Sequence, residues 1–221
     1  MNKQCAATGC QGPTSGYSTY CERHKRAQRR HGHVHQDGVT VPELKPYRDR
    51  VAARRKKNPA NPAWEILETR WMAVAAHAAE TLKGHAAGRP GVRYAVLAAD
   101  HIQRLADAVP HQVVTETALA MFVMREVQPN RFRSDRAFDF QLARRVRALT
   151  DANAGSYYDQ GTGKLKRVYR DVLPGTLECL AGSLKEAFGV AGLRLAELDK
   201  KDDQRQADAN AKLAEALRGL A

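Results

Sequence analysis

The chain lacks long apolar runs and is poor in aromatic residues. No stretch of about 18 apolar residues occurs, and the polar N-terminus lacks the apolar core of a secretory signal. Hydrophobic residues nevertheless make up 43% of the 221 residues, which is close to the globular range. We therefore expect a folded protein located in the cytoplasm, with no membrane partner.

Sequence signatures of common enzymes are also missing. The chain contains no phosphate-binding Walker loop, no G-x-S-x-G nucleophile turn, no H-E-x-x-H metal motif and no pattern of paired catalytic carboxylates. Asp202 and Asp203 lie in a polar run, which is typical of a solvated face. Cys179 lies on an apolar helical face and is interpreted as a small core residue. The sequence therefore predicts a protein that is not an enzyme.

Acidic residues are scarce near the N-terminus. Residues 1–57 carry 13 Lys and Arg against 4 Asp and Glu, within a chain of net charge +12. Positive charge concentrated in this way indicates a polyanionic partner, and nucleic acid is the commonest one. A basic disordered tail is the alternative, but the cysteines in this segment give it a means of folding.

Three of the four cysteines are spaced with a histidine in the pattern C-x4-C-x10-C-x2-H. These residues form two close pairs on either side of a turn-rich segment: Cys5 with Cys10, and Cys21 with His24. Zinc is commonly held by two such pairs at the corners of a tetrahedron. Disulfides would leave one of the three cysteines unpaired. We predict one structural Zn²⁺ ion, which supplies folding free energy that a module of about 30 residues lacks.

The segment after Cys21 predicts a basic helix that ends at Gly32. Its basic residues recur at helical spacing in two neighbouring stripes: Arg23, Arg26 and Arg30, and Lys25 and Arg29. Such a helix can contact the phosphate backbone, or the major groove. The histidines at the end of this helix and beyond it are interpreted as solvated residues and not as metal ligands: His31, His33 and His35.

The N-terminal segment resembles the short zinc-binding module at the N-termini of many phage and mobile-element proteins, including HNH-type homing endonucleases. The pattern that carries this resemblance is C-x4-C-x2-P…Y-C-x2-H-x2-A-x2-R-x-G. The matching residues are Cys5, Cys10, Pro13, Tyr20, Cys21, His24, Arg30 and Gly32. Lys25 and Ala27 stand where members often have an aromatic residue and an arginine. The resemblance covers about one seventh of the chain and implies contact with DNA, not catalysis. RNA stays open as a partner, because zinc knuckles and basic arms serve both polymers.

A complete HNH site would also need an Asp-His pair, an Asn and a closing His or Asn. Asp100 and His101 supply such a pair, but they lie within an apolar helical stripe, and no Asn occurs between His101 and Asn130. We interpret them as an exposed helical pair. A divergent HNH-like nuclease using His101 is the alternative function, and a helical protein that binds a partner protein is a further one.

The sequence predicts a mainly α fold with four parts. They are a zinc-binding basic module (residues 1–35), a basic linker (36–61), an all-α body (62–198) with a β-hairpin near 156–170, and a polar C-terminal helix or tail (199–221). Between its prolines the linker is either a basic helix or a mobile chain. Helices are expected over about 92–109 and 113–127, after an N-cap at Ser134, and from Pro174 to a cap at Gly189.

The middle of the body contains a second group of basic residues. Helix, turn, helix and basic hairpin follow one another there in an order that is similar to a winged helix. The residues expected to contact nucleic acid from this surface are Arg136, Arg144, Arg147, Lys164, Lys166 and Arg167. The alternative is a hairpin that only closes a helical bundle.

Overall fold

The computed structural model describes residues 3–14, 16–153, 155–168 and 171–218. Within these ranges the chain is mainly helical and carries one antiparallel hairpin, as the sequence predicts. The helices are α1 (Glu22–His31), α2 (Val41–Lys57), α3 (Ala63–Ala86), α4 (Arg93–Ala108), α5 (His111–Val127), α6 (Asp135–Arg147) and α7 (Pro174–Arg218). The hairpin pairs β1 (Gly155–Asp159) with β2 (Lys164–Val168), and Tyr157 lies opposite Lys166. None of the helices in these ranges is both long enough and apolar enough to cross a membrane.

Helix α5 forms the centre of the core. Every residue from Val114 to Met124 is buried, and α2, α3, α6 and α7 pack around it. Phe138 of α6 joins this core with its ring 5.2 Å from the rings of both Phe122 and Phe132. A helix that is apolar on all sides can only be stable when other helices cover it. The remaining elements are therefore arranged around α5.

Helix α7 continues without a break past the expected cap at Gly189. The helix expected from Pro174 to Gly189 is the first part of a single helix of 45 residues. Gly192 lies at its contact with α5, where a Cβ atom would come within 2.5 Å of Phe122 Cδ2. The glycine here allows two helices to pack closely; it does not end one. Beyond Asp199, every described residue of α7 is exposed, which agrees with the polar composition of this segment.

Substituting alanine at two glycines of α7 should have opposite effects on stability. Gly192→Ala should lower the free energy of unfolding by about 1–3 kcal/mol, because the new methyl group overlaps the buried ring of Phe122. Gly182 is exposed and has open space around it, so Gly182→Ala should raise stability by about 0.5–1 kcal/mol through helix propensity. Urea denaturation measures both. Equal effects would contradict the close packing of α7 on α5.

The segment predicted as a linker contains helix α2, which packs on α5. Thr40 and Glu43 form a capping box, in which each side chain accepts a hydrogen bond from the backbone N–H of the other. Leu44, Tyr47 and Val51 recur at helical spacing and are buried in the common core. Of the two states considered for this segment, the structure has the helix, and its inner face belongs to the core.

Helix α6 lacks the free face that a winged-helix recognition helix needs. It begins after Ser134, whose hydroxyl accepts from the Ala137 amide at 3.1 Å, as the sequence predicts. Eight of its thirteen residues are buried, because α1, α4, α5 and α7 all contact it. A helix covered in this way cannot enter a DNA groove. The order of elements is similar to a winged helix, but their packing is not.

Candidate metal centre and basic surfaces

Cys5, Cys10, Cys21 and His24 come together at the start of α1. Their potential ligand atoms all lie within 4.8 Å of one another. His24 Nδ1 lies 3.4 Å from Cys5 Sγ and 3.3 Å from Cys21 Sγ. Cys10 Sγ lies 3.9 Å from Cys21 Sγ, and all four cysteines of the chain are free. The cluster expected from the spacing is therefore formed.

These distances fit a single tetrahedral ion. With metal–sulfur and metal–nitrogen bonds of about 2.3 and 2.0 Å, tetrahedral ligands stand about 3.8 Å apart for two sulfurs and about 3.5 Å apart for sulfur and nitrogen. The separations around Cys21 are close to these values. A disulfide would instead bring two sulfurs to about 2.0 Å. The three thiols and the imidazole are thus arranged as the ligands of one metal ion.

Local hydrogen bonds hold the N-terminal segment around the cluster. The Cys5 amide donates to the Gly12 carbonyl at 3.0 Å, and the Ala6 amide donates to the Thr19 carbonyl at 2.9 Å. Cys21 is the N-cap of α1, and its carbonyl accepts from the Lys25 amide at 2.9 Å. His24, three residues further on, therefore lies on the same side of the helix as Cys21. Each ligand pair is fixed by a turn or by a helix start.

The cluster favours a thiolate at Cys5. Burial alone would raise the pKa of Cys5, but hydrogen bonds from the Cys21 and Ala7 amides and from His24 lower it to about 6. The Cys21 amide donates to Cys5 Sγ at 3.2 Å. At Cys10 the backbone of Gly12 lowers the pKa, but burial and the neighbouring thiols raise it above its ordinary value. Because thiolates are the metal-binding form of cysteine, Cys5 is prepared to bind a cation.

His31 connects the N-terminal module (residues 1–35) to α6. Its Nδ1 lies 3.2 Å from Nε2 of Gln141, whose Oε1 accepts from the Val39 amide at 2.9 Å. Because Nε2 of an amide is a donor, His31 Nδ1 is the acceptor and the imidazole is neutral. Burial, together with the charges of Arg144 and Arg30, lowers the pKa of His31 to about 4. The expectation that His31 is solvated is therefore wrong.

Gly32 brings the chain close to α6 directly after this contact. Its φ of 83° lies in the left-handed region that favours glycine, and its amide donates to the Gln28 carbonyl. A Cβ atom at this position would lie 2.6 Å from the Arg136 carbonyl oxygen. The glycine predicted to end α1 thus also permits the module to pack against the body.

Asp171 binds two of the arginines that were predicted to contact phosphate. Arg30 Nε lies 2.8 Å and Arg29 3.4 Å from its carboxylate. Burial would raise the pKa of Asp171, but the hydrogen bond from Arg30 and the nearby charge of Arg29 hold it below its ordinary value. In this structure Arg29 and Arg30 therefore hold the module to the body, although both remain partly exposed.

The rest of the basic surface of α1 faces solvent. Arg23 and Arg26 are exposed and make no ion pair with the described residues, and Lys25 lies 4.0 Å from Glu22. At about 3.6 residues per turn, Arg26 lies opposite His24 and His31, and Arg23 and Lys25 lie on either side of Arg26. The structure therefore presents a compact cationic surface, which we call the α1 basic face (Arg23, Lys25 and Arg26).

The six basic residues predicted to contact nucleic acid from the body differ in their exposure and in their partners. Arg147 is only 3% exposed and donates to the Asn153 carbonyl, so this predicted phosphate contact lies in the interior. Arg136 pairs with Glu178 at 2.8 Å and lies over the ring of Phe140. Arg144 is half-buried, and Lys166 pairs with Asp159. Lys164 is exposed, and the side chain of Arg167 lies outside the described part of the structure.

The Asp100–His101 pair differs from its expected environment. Asp100 is partly exposed and pairs with Arg104 at 2.9 Å, but His101 is half-buried. Its Nδ1 lies 2.7 Å from Asn153 Oδ1, and burial lowers its pKa. His101 therefore has a structural partner 52 residues away. The side-chain Nδ2 of Asn153 also donates to the Arg147 carbonyl at 3.3 Å, which fixes this corner of the body.

Sequence reasoning did not single out Gln141, Asn153 or Asp171. Each is a polar residue that joins two distant segments of the chain. The weak signal for Gln141 was its position within an apolar helical stripe, but its partners could not be identified from spacing.

No family model, no curated protein and no solved structure matches the chain. The likeness to phage and mobile-element modules rests on the motif alone.

Proposed function

We propose that the protein binds nucleic acid, with DNA favoured over RNA, through a metal-stabilised N-terminal module. The position of α1 is the observation that carries this proposal. Its inner side supplies Cys21 and His24 to the cluster, and its outer side carries the α1 basic face. A metal ion bound to the inner side would fix the orientation of these three cations. Phosphate oxygens are the natural partners of such a surface.

The ion that we propose is one structural Zn²⁺. Three thiolates and one imidazole are the donor set that tetrahedral zinc prefers, and Cys5 and His24 are buried. Four protein ligands leave no open position for a substrate, so the role of the ion is to stabilise the module. Unpaired ligand thiols are typical of reducing compartments, and we accordingly propose a cytoplasmic location.

The β-hairpin supplies a second contact surface in this proposal. The Asp171 side chain contacts α1, and its Cα atom lies three residues after β2 and therefore at most about 11 Å from the end of the hairpin. The hairpin exposes Tyr157 by 51% and Tyr158 by 62%, and Lys164 is also exposed. Aromatic rings on a cationic surface can stack on unpaired bases, while the amines attract phosphate.

The biological role that we propose is that of a regulatory or accessory protein of a phage or another mobile element. Support for it comes from the motif resemblance of residues 5–32. The alternative function is a nuclease. An HNH enzyme would carry a catalytic histidine at a strand end, but the hairpin of this chain contains no histidine. The other alternative is a protein that binds a partner protein through its helical body.

A native gel with labelled duplex DNA tests these alternatives directly. The zinc-loaded protein is incubated with DNA and magnesium, and the recovered DNA is then denatured to reveal strand breaks. A shift with intact strands supports the proposal, and a parallel gel with RNA compares the two polymers. Cleaved strands would contradict the proposal and indicate that the protein is a nuclease. No shift with either polymer would contradict it and favour a protein partner.

Removing charge from the α1 basic face should weaken DNA binding and its dependence on salt. The double variant Arg23→Gln/Arg26→Gln should lower the slope of log affinity against log salt by about 2, because each phosphate contact contributes about 0.9. The matched control, Lys200→Gln/Lys201→Gln, removes the same charge from the exposed part of α7. Fluorescence anisotropy at several salt concentrations gives both slopes. Equal loss in both variants would mean that only net charge matters.

A further inference from the structure

A polar cavity lies between α4, the end of α6 and the start of α7. Its volume is about 260 Å³, and it shares no residue with the metal cluster. Arg104 and His101 of α4, Arg147 of α6 and Thr176 of α7 contribute to its walls. The volume is close to the lower limit for small-molecule sites, so the cavity suits a small polar group.

Thr176 leaves a hydrogen-bonding group unused in this cavity. The residue is fully buried, and its hydroxyl has no hydrogen-bond partner among the described residues. Its own amide donates to the Leu173 carbonyl at 2.9 Å, so the hydroxyl is the group that lacks a partner. A buried hydroxyl without a partner is destabilising. An acceptor oxygen bound in the cavity would remove that cost.

The charges around the cavity favour an anion. Arg147 is 3% exposed, and Arg104 donates to the Ala152 carbonyl at 3.0 Å. The lining also contains two carboxylates: Asp171 pairs with Arg29 and Arg30, and Asp100 pairs with Arg104 and offsets part of its charge. The positive end of the α7 dipole lies at the same place. The amides of Thr176 and Leu177 already donate to the Leu173 carbonyl. This helix end therefore acts on an anion through its electrostatic field and not through hydrogen bonds from these two amides.

Hydrogen bonds fix the cationic wall of the cavity in advance. The Asn153 amide nitrogen donates to the Arg147 carbonyl, so its oxygen is the group that accepts from His101 Nδ1. Arg147 in turn donates to the Asn153 carbonyl. Three residues from α4, α6 and the segment after α6 are thereby held together. A site whose donors are already positioned loses less entropy when it binds a ligand.

We propose that this cavity binds a single phosphate group, with the Thr176 hydroxyl and the guanidinium groups of Arg104 and Arg147 as donors. Arginine is well suited to phosphate because it is a charged donor with several N–H groups. Arg104 uses three of these groups for Asp100 and the Ala152 carbonyl, so it offers a phosphate its remaining ones. Inorganic phosphate and a phosphate of a nucleic acid share this chemistry. The inference does not depend on the proposed nucleic-acid binding, since the site is separate from the α1 basic face.

Titration of the zinc-loaded full-length protein with inorganic phosphate tests the site, at an ionic strength kept constant with chloride. Phosphate should raise the melting temperature of the wild type in a saturable manner. Thr176→Val should weaken phosphate binding by about 3- to 10-fold through loss of one hydrogen bond, and Arg104→Gln by about 10-fold or more. Without phosphate, Thr176→Val should not lower stability, because its methyl group replaces an unpartnered hydroxyl.

Thr117 supplies a matched control for Thr176. It is a second buried threonine whose hydroxyl has no partner among the described residues, but it lies on α5 and does not line the cavity. Thr117→Val should leave phosphate binding unchanged. No saturable effect of phosphate, or equal effects of Thr117→Val and Thr176→Val, would overturn the proposal.

The DNA affinity of Thr176→Val identifies the source of the phosphate. An unchanged DNA affinity together with weakened phosphate binding assigns the cavity to a free phosphate ligand. Loss of both assigns it to a phosphate of the nucleic acid. If the wild type does not bind DNA at all, the phosphate titration still decides the inference, so failure of the two proposals can be distinguished.

Discussion

Replacing Cys21 with serine should release the bound metal ion and unfold the N-terminal module. Cys21 Sγ approaches both His24 Nδ1 and Cys10 Sγ, and its amide donates to Cys5 Sγ. A serine hydroxyl is a poor ligand where a thiolate is required. Structural zinc sites of this size contribute about 10–16 kcal/mol of apparent binding free energy, far more than a module of about 30 residues gains from its apolar contacts.

The effect should be confined to the module and the helix that it organises. The main core, centred on α5, contains none of the cluster residues, so the body should keep its cooperative unfolding transition. The module should lose its own structure and with it the fixed orientation of the α1 basic face. DNA binding should consequently weaken, even though no cationic residue has been changed.

Metal content per protein chain, measured after gel filtration in a metal-free buffer, checks this prediction. The wild type should retain one ion and Cys21→Ser none. Cys179→Ser is the matched control, because this cysteine lies on α7 outside the cluster and should not affect the metal content. Circular dichroism reports the accompanying loss of helix. One tightly bound ion in the Cys21→Ser protein would show that the ligand set is wrong.

The metal cluster could be predicted from the sequence because its determinants are local. Its two ligand pairs are separated by four and two residues, and the turn between them is set by nearby backbone hydrogen bonds. Tetrahedral coordination restricts the arrangements that such spacings can form. The start of α6 could be predicted for the same reason, because the Ser134 cap acts on an amide three residues away.

The position of α2 could not be predicted, because it depends on contacts distant in sequence. The segment reads as basic and proline-flanked, and only Leu44, Tyr47 and Val51 reveal its inner face. Its place is set by α5 and by Arg131, which donates to Glu43 from 88 residues away. The continuity of α7 through Gly189 and Gly192 has a similar origin, since the packing of Phe122 gives the second glycine its role.

The basic residues show where reasoning from charge alone is insufficient. Arg147 and Arg26 have the same chemistry in the sequence, but one is buried against Asn153 and the other is exposed. Arg29 and Arg30 are partly exposed, and both bind Asp171, which is more than 140 residues away. Spacing predicts which side of a helix a residue occupies. It does not predict which neighbouring element covers that side.

Acidification should destabilise the protein through His31, in addition to any release of metal. The folded-state pKa of His31 is about 4, below the ordinary value of about 6.5. The unfolded chain therefore takes up the proton first as the pH falls. The stability contributed by neutral His31 is complete above about pH 6.5 and is lost progressively between about pH 6.5 and 4.

His31→Gln isolates this effect, because glutamine retains an amide near Gln141 but does not titrate. Between about pH 7.5 and 5 the wild type should lose about 1–2 kcal/mol more than the variant, after allowance for the partial exposure of the ring. Both proteins keep the same metal ligands, so acid release of the ion should affect them alike. Urea denaturation at the two pH values measures the difference. Parallel losses in both proteins would contradict a neutral His31 that accepts a hydrogen bond from Gln141.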